Sequence, residues 1–244
     1  MLNRKLFKQV VPLFLTNVQK VIKGRVAPPY SSEFSPSHYF NKGATMKIGI
    51  DLDDVLADFL GSFINYYNLR FRTAYTKEDF TDFNLSKVLS MDQESTQKLI
   101  SDFWHRSCLS SKIKPIEGSV ENLNKLKYFG ELNIITSRQQ KLKEKTIDWV
   151  EEYFKNVFKE IYFSNHAYFE YKGLPKSGIC KQTKTEFFIE DCPDYAIDCA
   201  EKEINVLLLD KPYNKHVERK NITRVYSWNG ITDYFTAFNR RDIG

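Results

Sequence analysis

Two aspartates one residue apart, Asp51 and Asp53, close the short apolar run Lys47-Ile48-Gly49-Ile50. In extended backbone a spacing of two sends both carboxylates to the same side. There they repel unless a cation lies between them or one keeps its proton. A second acidic pair, Glu190-Asp191, ends the run Phe187-Phe188-Ile189. Carboxylates from separate strand ends form an oxygen-rich site for a hard ion, and Mg²⁺ with retained waters suits that donor set best. Any one of these acids alone is better read as a helix N-cap or a solvated turn; the recurrence at several strand ends is what argues for a site. Thr136 and Ser137 end another apolar run just before a helix, where hydroxyls and free N–H groups suit a phosphate oxygen, although a plain cap would use the same residues. Lys176, after Pro175 at the start of the helix preceding the fourth strand, is the candidate cation for that phosphate, with an ordinary surface lysine as the alternative. Lys181 lies about 7.5 Å further along that helix at about 1.5 Å per residue and points away.

These residues need a scaffold that gathers strand ends. Apolar runs predict strands over residues 47–51, 132–135, 160–163, 187–189 and 205–209. Helical spacing predicts helices over 55–67, 92–104 with Asp92 as N-cap, 120–129 closed by Gly130, 141–154, 176–182, 196–202 and 231–238. Near-continuous apolar strands alternating with helices imply an α/β fold with a parallel sheet covered on both faces. In such sheets ligands bind beyond the carboxyl ends of the strands, where all the residues named above fall.

A chain of 244 residues with 19 Phe, 14 Tyr and 3 Trp has ample material for a core, which excludes a wholly disordered chain; its length suits one large domain or a domain with an insert. No run approaches about 18 apolar residues, so no membrane-spanning helix is expected. The four cysteines (Cys108, Cys180, Cys192, Cys199) lack CxxC spacing and read as reduced thiols. The histidines are scattered. The net charge of +5 is concentrated in residues 1–45, with seven bases and one acid, leaving 29 bases against 30 acids elsewhere. A nearly neutral body has no electrostatic footprint for a nucleic-acid polymer. The leader ends in a Pro/Ser-rich stretch over 27–37 that reads as a linker. Residues 1–45 are expected to be a basic, flexible extension or sequence upstream of a start at Met46. The alternative is an organelle-targeting segment, since residues 6–22 are acid-poor and mildly amphipathic.

In order and separation, Asp51-Leu52-Asp53-Asp54, the Thr136 strand end, Lys176 and Glu190-Asp191 resemble the four motifs of the haloacid dehalogenase (HAD) superfamily of aspartate-nucleophile phosphatases. The resemblance covers residues 46–240. More narrowly, Asp51 through Val55-Leu56-Ala57-Asp58-Phe59, with Leu207–Asn214 and Arg224–Trp228, is similar to the 5′(3′)-deoxyribonucleotidases and related bacterial nucleotidases. Asp54 departs from the pattern, since many members carry Gly there, and the surroundings of Lys176 are unremarkable for the third motif. The resemblance implies a Rossmann-like three-layer sandwich with a small helical cap, over about 71–112, inserted after the first strand.

It also implies a mechanism. Asp51 would attack phosphorus and form an aspartyl-phosphate, while Asp53 would protonate the leaving alcohol and then deprotonate water. Mg²⁺ would be held by Asp51, the Asp53 backbone carbonyl and Asp191. Glu190 would orient waters or Lys176, and Thr136 and Ser137 would donate to the phosphoryl group. Phe59, Phe103 and Trp104 are aromatic enough to stack on a nucleobase, but Phe103 and Trp104 fit better as the cap's own core. The implied function is Mg²⁺-dependent hydrolysis of a small phosphomonoester, a nucleoside or deoxynucleoside monophosphate first and a sugar phosphate or general small-molecule phosphate next. A non-catalytic phosphate-binding or signalling domain is the alternative from a different class. No nucleic-acid polymer or membrane partner is expected. A cytoplasmic location is expected, or an organelle such as the mitochondrion if the leader directs import.

Overall fold

The computed structural model describes residues 45–164 and 173–241; the expected basic extension lies outside them. Six strands, all parallel, form one sheet: β1 Lys47–Ile50, β2 Glu131–Thr136, β3 Glu160–Phe163, β4 Phe187–Glu190, β5 Asn205–Leu209 and β6 Ile222–Val225. Their order across the sheet is β3-β2-β1-β4-β5-β6. Direction reverses on either side of β1, whose Ile50 pairs with Ile134 of β2 and Ile189 of β4. This order creates a crevice beyond the end of β1, and in open α/β sheets that crevice takes the ligand.

Successive residues on each strand serve opposite faces. Ile48, Ile50, Ile134, Ile189 and Leu207 pack into one buried cluster, while Ile135, Phe188, Val206 and Leu208 pack into another. Gly49 sits on the second face. A Cβ there would lie 2.9 Å from Ile135 Cδ1 and 3.0 Å from the Phe188 ring, so the centre of the sheet needs a residue with no side chain.

Eight α-helices are present among the described residues: α1 Phe59–Phe71, α2 Leu85–Val88, α3 Gln93–Arg106, α4 Ser119–Leu126, α5 Lys143–Tyr153, α6 Lys176–Thr183, α7 Pro193–Glu201 and α8 Trp228–Arg241. Helices α4 and α8 contact each other, as do α6 and α7. None is long and apolar enough to cross a membrane. As read from sequence, Asp92 caps α3, its side chain accepting from Ser95 N–H at 2.8 Å.

Helix α1 starts at Phe59, not at Val55. The intervening residues fold into a tight turn in which Leu56 and Ala57 N–H groups both donate to the Leu52 carbonyl, at 2.9 and 2.8 Å. Asp58 then caps the helix by accepting from Gly61 N–H. Strand β6, short α2 and the 3₁₀ turns were not anticipated. All four cysteines are free; Cys108 is exposed and the other three are buried.

Candidate active site at the carboxyl edge of the sheet

Three strand ends meet in the crevice. Asp51 extends β1, its N–H donating to Ile189 O of β4 at 2.9 Å, which fixes its direction at the sheet edge. Glu190 and Asp191 end β4, and Thr136 ends β2. The carboxylates of Asp51, Glu190 and Asp191 are all buried and offer oxygens within 4.8 Å of one another. Lys176 is wholly buried. It enters from the start of α6, with Nζ 2.8 Å from Asp51 Oδ1 and 2.8 Å from Glu190 Oε2. The Tyr195 ring lies over the ammonium at 4.5 Å.

Each group in this cluster has a distinct share of the contacts. Glu190 is engaged at both oxygens: Oε2 takes Lys176, and Oε1 accepts the N–H groups of Asp191 and Cys192, each at 3.0 Å. It therefore orients the lysine. Asp191 is held from behind by the Tyr213 hydroxyl on Oδ2 and by Asn214 Nδ2 on its carbonyl at 2.8 Å. Asp51 Oδ1, by contrast, is met by the Lys176 ammonium, at 2.8 Å.

One ammonium cannot neutralise three buried carboxylates, and their acidities reflect the shortfall. Burial, then the Glu190 charge, pushes Asp51 well above the carboxylate range. Burial, then the Asp51 charge, pushes Asp191 up to about 7. Burial also raises Glu190, with Lys176 opposing it. For Lys176 burial works against the charge, but Asp51 and Glu190 outweigh it and hold the ammonium above its ordinary value. Excess buried negative charge and oxygen-only donors within 4.8 Å of one another together fit a hard divalent cation.

Asp53 is not part of this acidic group. Its carboxylate faces the other wall, where Arg138 grips both oxygens: Nε to Oδ2 at 2.9 Å and Nη2 to Oδ1 at 2.6 Å. Asp54 adopts φ +62°, the left-handed region that favours glycine, which gives a backbone reason for Gly at this motif position. Here Asp54 caps the first turn of α1, Oδ1 accepting from Leu60 N–H at 2.8 Å. Burial pushes its carboxyl up to about 7, against the pull of Lys211. The turn is pinned from below by Trp228, whose Nε1 donates to Val55 O at 2.9 Å.

Thr136 is buried, and its Oγ1 accepts the Arg138 N–H at 3.1 Å. Ser137 faces a cavity of about 520 Å³ that also exposes Asp51, Asp53 and Asp191. The far walls come from the segment after α1 and from α3, including Phe80, Phe83, Ile100 and Trp104. Phe59 lines the cavity too, but its ring is stacked on Trp104 at 5.6 Å and 11° and meets Phe103 edge-on at 5.7 Å. Phe103 and Trp104 are buried, in agreement with a core role, and Trp104 alone of the two borders the cavity.

Sequence reasoning missed Arg138, Tyr213 and Asn214 as site residues. Arg138 adjoins the Thr136-Ser137 pair and was visible as a strand-end residue, but its partner is 85 positions away. The Lys211–Asn214 segment carried a signal only as part of the family resemblance. Arg224 fixes that loop by donating to Asp210 Oδ1 at 2.9 Å and Asn214 Oδ1 at 2.8 Å.

Comparison with known proteins agrees with this fold. The family model for 5′ nucleotidase, deoxy (pyrimidine), cytosolic type C protein matches residues 45–239. A candidate nucleotidase of Halalkalibacterium halodurans is 28% identical over 186 residues, covering 75% of this chain and 88% of that protein. A haloacid dehalogenase-like hydrolase of Streptococcus pneumoniae superposes with a TM-score of 0.59 at 13% identity, over 78% of this chain and 98% of the other. A candidate HAD hydrolase of Bacillus subtilis, solved bound to magnesium, superposes with a TM-score of 0.52 at 10% identity, over 79% and 99%. At these identities the two structural matches speak for the fold.

Proposed function

We propose the following activity from the premise that the chain belongs to the cytosolic type C 5′-nucleotidase family of HAD-superfamily phosphomonoester hydrolases: Mg²⁺-dependent hydrolysis of a nucleoside or deoxynucleoside monophosphate through a phosphorylated Asp51. The observation that carries it is the cavity. Its floor holds Asp51 beside Lys176, and its walls combine aromatic and aliphatic side chains (Phe59, Phe80, Phe83, Ile100, Trp104) with polar ones such as Gln97, Lys98 and His105. A volume near 520 Å³ falls within the roughly 300–1,000 Å³ of small-molecule sites, which leaves room for more than a phosphate group.

Asp51 is the nucleophile, fixed in direction by the β1–β4 ladder. Lys176 balances its charge and that of the incoming phosphate, and Glu190 keeps the ammonium in place. Ser137, Thr136 and the N–H groups at the end of β2 donate to phosphoryl oxygens. Asp53 protonates the leaving alcohol and then takes the proton of the hydrolytic water. Asp51, Asp191 and the Asp53 backbone carbonyl would hold Mg²⁺, which supplies neutralisation of phosphoryl charge. The aromatic walls contact the base, with Phe59, which borders the cavity, as the stacking partner in this reading.

Base stacking adds about 1–3 kcal/mol, a preference of about tenfold to a hundredfold over a bare ester. Purified protein assayed with Mg²⁺ on nucleotides, deoxynucleotides, sugar phosphates and p-nitrophenyl phosphate should show that preference in kcat/KM, and excess chelator should remove the activity. Chelator-insensitive turnover would refute the metal, and a preference for sugar phosphates would refute the nucleotide.

A further inference from the structure

We infer that Arg138 is the positioning residue for Asp53, fixing the carboxylate and tying it to helix α3. This rests on the reading of Asp53 as the proton donor and acceptor. The Arg138 side chain is only 4% exposed, and its guanidinium is used on every side. Nε and Nη2 form the two-pronged contact with Asp53. Nη1 donates to Thr146 Oγ1 of α5 at 3.1 Å. The flat face lies 4.6 Å from the Trp104 ring of α3, which is itself stacked on Phe59. Helices α3 and α5 are further joined by Lys145 Nζ, which donates to Trp104 O at 2.7 Å.

A carboxylate that gives a proton and later takes one must present the same oxygen to the same place twice. An aspartate at the mouth of a cavity can otherwise rotate about two side-chain bonds. The guanidinium fork takes one lone-pair site on each oxygen and leaves the others open, since a carboxylate offers about four. Orientation is thus fixed without blocking the proton path. Lysine cannot do the same: its ammonium is a point charge with no planar fork and no flat face for Trp104. A buried, fully engaged guanidinium differs in kind from an exposed ion pair, which would fix little.

The test uses the full chain with Mg²⁺ and two substrates of nearly equal shape, p-nitrophenyl phosphate and phenyl phosphate. Phenoxide is the poorer leaving group and depends more on protonation. Asp53→Asn should lower kcat much further on phenyl phosphate than on p-nitrophenyl phosphate. Arg138→Lys and Arg138→Met should copy that pattern more weakly, with at least about a tenfold larger loss in kcat on phenyl phosphate, a fraction of the usual 10²–10⁴ for acid–base assistance, and little change in KM. The lysine variant keeps the charge, so it serves if the methionine variant folds poorly.

If both arginine variants lose kcat equally on the two substrates, Arg138 is merely structural and the inference falls. If they raise KM for both alike, Arg138 binds phosphate and the inference also falls. If Asp53→Asn shows no leaving-group dependence, the assignment of Asp53 itself is wrong and Arg138 loses its role with it.

Discussion

Replacing Lys176 with methionine keeps length and bulk but removes the ammonium shared by Asp51 and Glu190. Those carboxylates are 7% and 0% exposed, so water cannot take over from the lysine. Breaking one side of a buried ionic contact costs about 3–5 kcal/mol because a bare charge is left behind. With a urea slope of about 2 kcal/mol per molar, the midpoint should fall by about 1.5–2.5 M. Removing the second charge as well, in Lys176→Met with Glu190→Gln, should recover part of this, with a coupling of at least about 1 kcal/mol between the two changes. The assay is urea unfolding in chelator, so that no divalent ion replaces the ammonium. Tryptophan fluorescence reports it, because Trp104, Trp149 and Trp228 are all buried. A loss below about 1 kcal/mol in the single variant, or simple additivity in the double, would refute the account of Lys176 as the counter-charge of this cluster.

The two motif aspartates should separate in a phosphoenzyme trapping experiment. Asp51→Asn abolishes both turnover and trapped phosphoprotein, whereas Asp53→Asn slows turnover by about 10²–10⁴ while p-nitrophenyl phosphate still labels it; near-normal rates in Asp51→Asn would remove the nucleophile assignment. Phe59→Ala should cost nucleotides at least about tenfold more in kcat/KM than p-nitrophenyl phosphate, and equal losses would argue against a stacked base. Gly49→Ala places a Cβ 2.9–3.1 Å from Ile135, Phe188 and Thr185. Overpacking of this kind costs about 1–3 kcal/mol, so calorimetry should record a melting temperature lower by about 2–12 °C; an unchanged value would show that the sheet relaxes freely.

The strands were legible because buried parallel strands are written as short apolar runs between polar ends. Residues 160–163 and 205–209 fall on β3 and β5 without a shift of boundary. Asp92 was legible because a cap is a local feature. The start of α1 was not, since Leu56 and Phe59 share helical spacing while backbone hydrogen bonds to Leu52 O hold residues 52–57 in a turn. Strand β6 was overlooked because, as an edge strand, it buries only Val225 fully. The acids, hydroxyls and lysine of the site could be found one strand end at a time. Their partners could not: Arg138 meets Asp53 across 85 positions and Tyr213 meets Asp191 across 22. Such pairings depend on how the strands are ordered, which no local pattern encodes.

The order of the strands also decides which amides must stay closed for the enzyme to work. The three strand ends that carry the site belong to neighbours, β2, β1 and β4, at the middle of the sheet, with β3 outside on one side and β5 and β6 on the other. Every residue of β3 is partly exposed, and β6 has a single fully buried one. Edge strands with so few buried contacts open locally at low free energy, whereas central ones exchange only near global unfolding. Hydrogen exchange should therefore run from the margins inward, through Ile222–Val225 and Glu160–Phe163 first. Opening at β3 leaves Asp51 and Asp191 in place, whereas opening at β6 would free Arg224 from Asn214 and so loosen the loop that backs Asp191; one margin of the sheet can fray without touching the proposed catalytic centre, and the other cannot.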